Sequence, residues 1–204
     1  MVAAAVLFGT TGTAQALGPS GMNPLSVGAV RQFSGGLILA LIGVLALLRE
    51  GGRRAPVVPG RLGWVLIGGC SIMAFQATFF AGTSANGVAV GTVIALGSSP
   101  LFAGAFEWLA GSRPSRSWLL ATAIAIVGLA LLSGVLGSSH ALDAGGVLLS
   151  LVAGAAYAGY AFATGTLLRR GMPALMATSA VLGTSGVIAA CVLPFVDVGW
   201  LAQP

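Results

Sequence analysis

The sequence predicts an all-α polytopic membrane protein, a helix bundle of about seven transmembrane helices. Three observations lead there. Eight of the nine arginines sit in three clusters: Arg49, Arg53, Arg54 and Arg61; Arg113 and Arg116; Arg169 and Arg170. These clusters fill every second gap between long apolar stretches. Hydrophobic residues make up 57% of the chain and charged residues 6%, whereas a soluble domain carries about 25% charged residues. Finally, the uncharged run 62–106 is long enough for two spans, at about 20 residues each.

The first span is expected over residues 2–18. Phe8, Thr11 and Gln15 share one of its faces by the i, i+3, i+7 rule. Ala14-Gln15-Ala16 has the small-x-small form of a signal cleavage site, but no basic region precedes it, so a retained helix is expected. The second span, 25–48, holds Arg31 about two turns inside its outer boundary. There a guanidinium attracts an anionic group or bonds a carbonyl.

The third span, 62–82, presents Met73, Gln76, Phe79, Phe80 and Thr83 on one face, and a turn is expected over 83–87. The fourth span, 87–110, carries a stripe of small residues: Gly87, Gly91, Ala95, Ser98 and Ala105, continuous with Ser84. Small residues let a neighbouring backbone approach closely. Pro100 cannot donate to the carbonyl of Leu96, so a bend is expected there, with Ser98 and Ser99 available to satisfy the freed oxygen. Glu107 lies four residues before Gly111 and is expected to reach the interface or pair with Arg113.

The fifth span is expected over 117–136, the sixth over 145–168 and the seventh over 174–196. On the sixth, Ser150, Ala153, Tyr157, Tyr160 and Thr164 share a face. On the seventh, Thr178, Gly183, Thr184 and Gly186 form a face open for close packing. Polar and aromatic stripes turn away from hydrocarbon because unsatisfied polar groups are costly in lipid. Two readings of the stripes stay open, interhelical hydrogen bonds and a cavity wall.

Cytoplasmic loops carry excess Lys and Arg, so the arginine-bearing gaps are expected inside, with a cytoplasmic N-terminus and the tail 197–204 outside. The net charge of +5 is confined to loops without mixed basic and aromatic runs, which argues against a nucleic-acid partner. Cys70 and Cys191 have no CxxC or His partner and are expected as small core residues. His140 is expected as a solvated loop residue beside Asp143. The chain has no nucleophile with its base, HExxH, paired carboxylates or phosphate loop. No enzyme activity, metal or cofactor is therefore expected.

Sliding the chain by about 150 residues sets Gly21-Met22-Asn23-Pro24-Leu25 against Gly171-Met172-Pro173-Ala174-Leu175. At an offset of 149, Phe8, Thr11 and Gln15 fall against Tyr157, Tyr160 and Thr164. Five spans separate the repeat starts, and an odd number inverts the second unit, as in transporters whose site lies between inverted repeats.

Several segments resemble the EamA-type drug/metabolite transporter superfamily: Leu7-Phe8-Gly9-Thr10, Asn23-Pro24-Leu25 followed by Arg31, Ser99-Pro100-Leu101-Phe102, and the loop 111–116 leading to Gly128. Phe8 stands where the family often has Trp, and Ser112 where a Glu often follows Gly. The resemblance implies a ten-helix carrier of two inverted five-helix units. Here 1–137 would be the first unit, with five spans, and 145–204 a partial second, with two. It also implies a central cavity walled partly by the first, third, fourth and sixth helices.

The expected function is therefore a plasma-membrane carrier exporting or exchanging a small metabolite or drug. Phe8, Thr11, Gln15, Gln76, Phe79, Ser98, Tyr157, Tyr160 and Thr164 are the candidate substrate-binding residues, and Arg31 and Glu107 the candidate intramembrane charges. The alternative is a non-transporting truncated remnant or assembly subunit, whose partner, a second copy or a different chain, completes the second repeat.

Overall fold

The computed structural model describes residues 24–49, 59–132 and 142–198. Among the described residues all regular structure is helical: α1 (Pro24–Arg49), α2 (Arg61–Asn86), α3 (Val88–Leu109), α4 (Arg116–Leu132), α5 (Ala144–Arg169) and α6 (Ala174–Val192), with a 3-10 turn at Leu193–Phe195. These correspond to the second to seventh predicted spans. The first predicted span lies outside the described residues, as does His140. Five of the described helices are long and apolar enough to cross a membrane, and a shorter apolar stretch runs over Arg116–Gly128.

The junction between α2 and α3 differs from the expected five-residue turn. α2 continues through Asn86, and Gly87 alone breaks the helix at φ 83°, a conformation open to glycine at little cost. Thr83 and Ser84 stay helical because their hydroxyls bond back to the carbonyls of Phe80 (3.1 Å) and Ala81 (2.8 Å). At the other end of the bundle α3 and α5 terminate identically. The amide of Gly111 donates to Trp108 and that of Ser112 to Glu107, while Gly171 donates to Leu168 and Met172 to Leu167. That is the Schellman pattern, which satisfies otherwise orphaned carbonyls.

α2 and α5 form the centre, α3 packs on α5, α1 packs on α6, and α4 rests chiefly on α3. Ile72, Phe75, Phe79 and Phe80 of α2 build one core with Ala95 and Ala153. Val65, Leu167, Met172, Met176 and Val181 build a second near the arginine end. Where no hydrophobic drive acts between helices in lipid, close backbone approach supplies the packing. α1 and α6 show this most strongly. A Cβ on Gly36 would lie 2.6 Å from the carbonyl oxygen of Leu182 and 2.7 Å from the Cα of Gly186. The two helices are antiparallel, since Gly43, further along α1, meets Ser179, further back along α6.

This crossing corrects one expectation. The face of the seventh predicted span does not lie open: Gly183 meets Ala40, Gly186 meets Gly36, and Thr184 lies against Gly69 of α2. The cysteines are a second correction. Cys70 and Cys191 are both exposed on the outer surface rather than set in the core, because neighbouring glycine and alanine positions take the inward faces. Leu37, Ile38, Leu41, Leu45 and Leu48 of α1 are also exposed, as expected of a surface bathed in hydrocarbon.

The ends of the bundle are chemically distinct. Arg170 Nη1 donates to the carbonyl of Pro59 at 2.5 Å, and Arg169 reaches Glu107 at 3.2 Å, so the described parts of the three arginine clusters meet at one end. At the opposite end Asn86 Nδ2 donates to the Asp143 carbonyl (3.0 Å), and Asn86 Oδ1 accepts from the Asp143 amide (2.8 Å). Asp143 Oδ2 in turn accepts from Gly146 N at 2.6 Å, capping α5. Asp143→Ala is expected to cost about 1 kcal/mol, the usual value of such a cap. The fall in unfolding midpoint in a detergent titration followed by circular dichroism checks it, and an unchanged midpoint refutes it.

Candidate functional site

The inward faces of α1, α2, α5 and α6 place polar and aromatic side chains at mid-depth. Gln76, the amide singled out on the third predicted span, is buried. Its Nε2 donates to Gln32 Oε1 at 2.9 Å, Gln32 Nε2 donates to Ser185 Oγ, and Ser185 Oγ donates to the carbonyl of Leu182 at 2.7 Å. This chain of donors ties α1, α2 and α6 together. Buried amides in an apolar interior need such partners, because an unpaired one loses its full hydration energy.

Beside it runs an aromatic band. Phe75 stacks on Phe79 with centroids 5.2 Å apart, Tyr157 approaches Phe75 at 5.3 Å, and Tyr160 follows Tyr157 at 5.9 Å. Tyr160 packs against both cores. Thr164 and Ser150, on the same face of α5, hold buried hydroxyls with no hydrogen-bond partner among the described residues. They contrast with Thr166, Ser98 and Ser99, which bond back to carbonyls of their own helices.

On α3 the small-residue stripe is chiefly packing: Ala95 is fully buried, and a Cβ on Gly154 of α5 would lie 2.7 Å from its carbonyl oxygen. Ser99 Oγ donates to the Leu96 carbonyl at 3.0 Å, the oxygen that Pro100 leaves without its amide donor. Ser98 instead takes the carbonyl of Ala95 at 3.2 Å.

Towards the arginine end, an open-sided cavity of about 500 Å³ lies between α2, α3 and α5, lined by Trp64, Ser71, Phe106, Gly159 and Phe162 among others. Phe162 meets Trp64 edge-on at 5.8 Å and Phe106 at 6.2 Å. Guanidinium groups border it: Arg169 lies 5.7 Å from the Phe162 ring centre and Arg170 5.7 Å from that of Trp64, within cation–π range.

Glu107 pairs with Arg169 rather than with the expected Arg113. The reason is geometric: Glu107 projects towards α5, whose last turn presents Arg169, while the Gly111 turn carries Arg113 towards α4. Arg31 is half-buried on α1, with no carboxylate within ion-pair distance among the described residues.

Of the candidate residues, the structure gathers Gln76, Phe79, Tyr157 and Tyr160 in one region of α2 and α5. Ser98 lies on α3 where Gly154 of α5 crosses it, and Thr164 lies further along α5. Phe8, Thr11 and Gln15 lie outside the described residues. Sequence reasoning missed Gln32 and Ser185, although the argument that selected Gln76, an amide within an apolar helix, applies equally to Gln32. It also missed Trp64, Phe106 and Phe162, which read as ordinary apolar positions until the helices bring them together. No group of three metal-ligating side chains occurs among the described residues.

Apolar helices that cross a bilayer, with polar side chains turned towards one another, define an integral multi-pass membrane protein. The chain belongs to the EamA-like transporter family, whose family model matches residues 1–134. It is similar to the "Uncharacterized transporter YwfM" of Bacillus subtilis (strain 168), with 36% identity over 203 residues, which is 98% of this chain and 66% of that protein. The chain thus spans just under two thirds of that relative's length. No solved structure matches the chain.

Proposed function

We propose that the protein is part or all of a plasma-membrane carrier that exports or exchanges a small metabolite or drug by alternately exposing a midplane site. Membership of the EamA-like transporter family supports the class. The observation that carries the site is the inward band of Gln76, Phe75, Phe79, Tyr157 and Tyr160, a mixed amide and aromatic surface suited to a small amphipathic solute. Phe8, Thr11, Gln15, Ser98 and Thr164 complete the proposed lining. The arginine end faces the cytoplasm in this reading, as the positive-inside rule requires, with the N-terminus on the same side.

We further propose that residues 1–137 and 145–204 belong to two inverted units, the second partial. The internal sequence match has an offset of about 150, and a close backbone approach between α1 and α6 brings together Gly36 and Gly186, which lie 150 positions apart. An axis relating two inverted units passes through such a self-matching pair, so contact and repeat agree in register.

Flux across vesicles holding the full chain tests the site. The probes are a panel of labelled amino acids and a lipophilic cationic dye. The protein is expected to move at least one of them faster than protein-free vesicles do. Gln76→Ala and Tyr160→Phe are each expected to slow that flux about tenfold, equivalent to about 1.4 kcal/mol. Unchanged flux in both variants removes the assigned site.

A further inference from the structure

α3 and α4 are joined at the arginine end by the short loop 110–115. Between them lies a cavity of about 510 Å³ whose walls include Leu101, Gly104, Trp108, Arg113, Trp118 and Leu119. Its depth is apolar, and the outer edge of the Trp118 ring sits against Gly104, where a Cβ would come 2.5 Å from Cη2 and 2.8 Å from Cζ3. Its mouth is basic. Arg113 lines it, Arg116 is exposed three residues further on at the start of α4, and neither has a carboxylate within ion-pair distance among the described residues.

Among the described residues the charge is uncompensated for a definite reason. Glu107 is the one acidic residue between positions 61 and 132, and it is committed to Arg169 on the α5 side of α3. Among the described residues the α4 side of α3 therefore offers two guanidinium groups and no acid. α4 also begins here at Arg116, where its backbone dipole presents its positive end. Tryptophans mark the headgroup level of a bilayer, and Trp108 is 65% exposed beside this mouth.

An apolar slot open to hydrocarbon, rimmed by tryptophan and closed by Arg113 with Arg116 nearby, matches one kind of molecule. We propose that it holds an anionic phospholipid, with an acyl chain along Leu101, Gly104 and Leu119 and the phosphate against Arg113 and Arg116. A guanidinium binds phosphate through paired N–H donors, and basic pockets between membrane helices hold anionic headgroups in the same way. A zwitterionic headgroup fits less well, because its ammonium is brought against the same guanidinium groups.

The test reads tryptophan quenching by lipids brominated in the acyl chain. The full-length protein is placed in phosphatidylcholine vesicles doped with brominated phosphatidylglycerol or with brominated phosphatidylcholine. Phosphatidylglycerol is expected to reach half-quenching at a mole fraction roughly 25-fold lower, about five-fold for each arginine. The preference is expected to vanish in Arg113→Gln/Arg116→Gln, to persist in Arg113→Lys/Arg116→Lys, and to survive both Arg49→Gln and millimolar inorganic phosphate.

Equal quenching by the two lipids in the unsubstituted protein overturns the proposal, whatever the variants do. So does a preference that persists in the double Gln variant, that falls equally in Arg49→Gln, or that inorganic phosphate abolishes, the last outcome marking a free-anion site instead. Far-UV circular dichroism checks that each variant keeps its helices.

Discussion

Gly36→Leu is expected to separate α1 from α6 and to lower stability well beyond the loss expected for Asp143→Ala. Its side chain would enter space already held by the Leu182 carbonyl and the Gly186 backbone, 2.6 and 2.7 Å from the new Cβ. Backbone cannot swing aside as a side-chain tip can. Overpacking of this kind costs about 1–3 kcal/mol, occasionally more. Gly186→Leu should behave alike, since it faces the same contact from the other helix. Combining the two should cost less than the sum, because the first already separates the helices. Midpoints of denaturing-detergent titrations, read by circular dichroism, give the comparison. Wild-type midpoints in both single variants would show that the crossing is loose enough to admit a side chain.

The second large effect concerns Gln32 and Gln76. Gln76→Leu leaves Gln32 Oε1 buried without its donor, and Gln32→Leu leaves Gln76 Nε2 without its acceptor and Ser185 without Gln32. Ser185 tolerates this, because its own hydroxyl already donates to Leu182. Each single change is expected to cost between about 0.6 kcal/mol, typical of membrane hydrogen bonds, and about 3 kcal/mol for an orphaned buried group. Gln32→Leu/Gln76→Leu removes both partners and should cost less than the two singles together. A double-mutant cycle measures that difference directly. Strict additivity would mean that the two amides do not depend on each other.

The described helices were legible in the sequence because the bilayer imposes a length and the arginine clusters impose an alternation. Both signals survive in composition and spacing alone. The rescue of the carbonyl that Pro100 leaves without a donor was equally local: Ser99 reaches the carbonyl of Leu96 within one helical turn. Partner choice between helices was not local. Glu107 faced Arg113 in sequence but meets Arg169 in space, because a helix projects its side chain by angle rather than by proximity along the chain. The same limit explains Cys70, which follows two buried glycines yet points outward. Gln76 stands out as an amide in an apolar helix, but its partner Gln32 is overshadowed by the adjacent Arg31. Polar groups in lipid must be matched across helices, and a single stripe names only half of each match.

The uneven ends of the bundle have an electrical consequence. Arg49, Arg61, Arg113, Arg116, Arg169 and Arg170 border one side, whereas Asp143 and Asp197 border the other. A transmembrane voltage that is negative on the arginine side therefore favours this threading over its inverse, by about 2.3 kcal/mol for each charge exchanged per 100 mV. Under the proposed orientation, with the arginine end in the cytoplasm, an energised cell would reinforce continuously an arrangement first set at insertion.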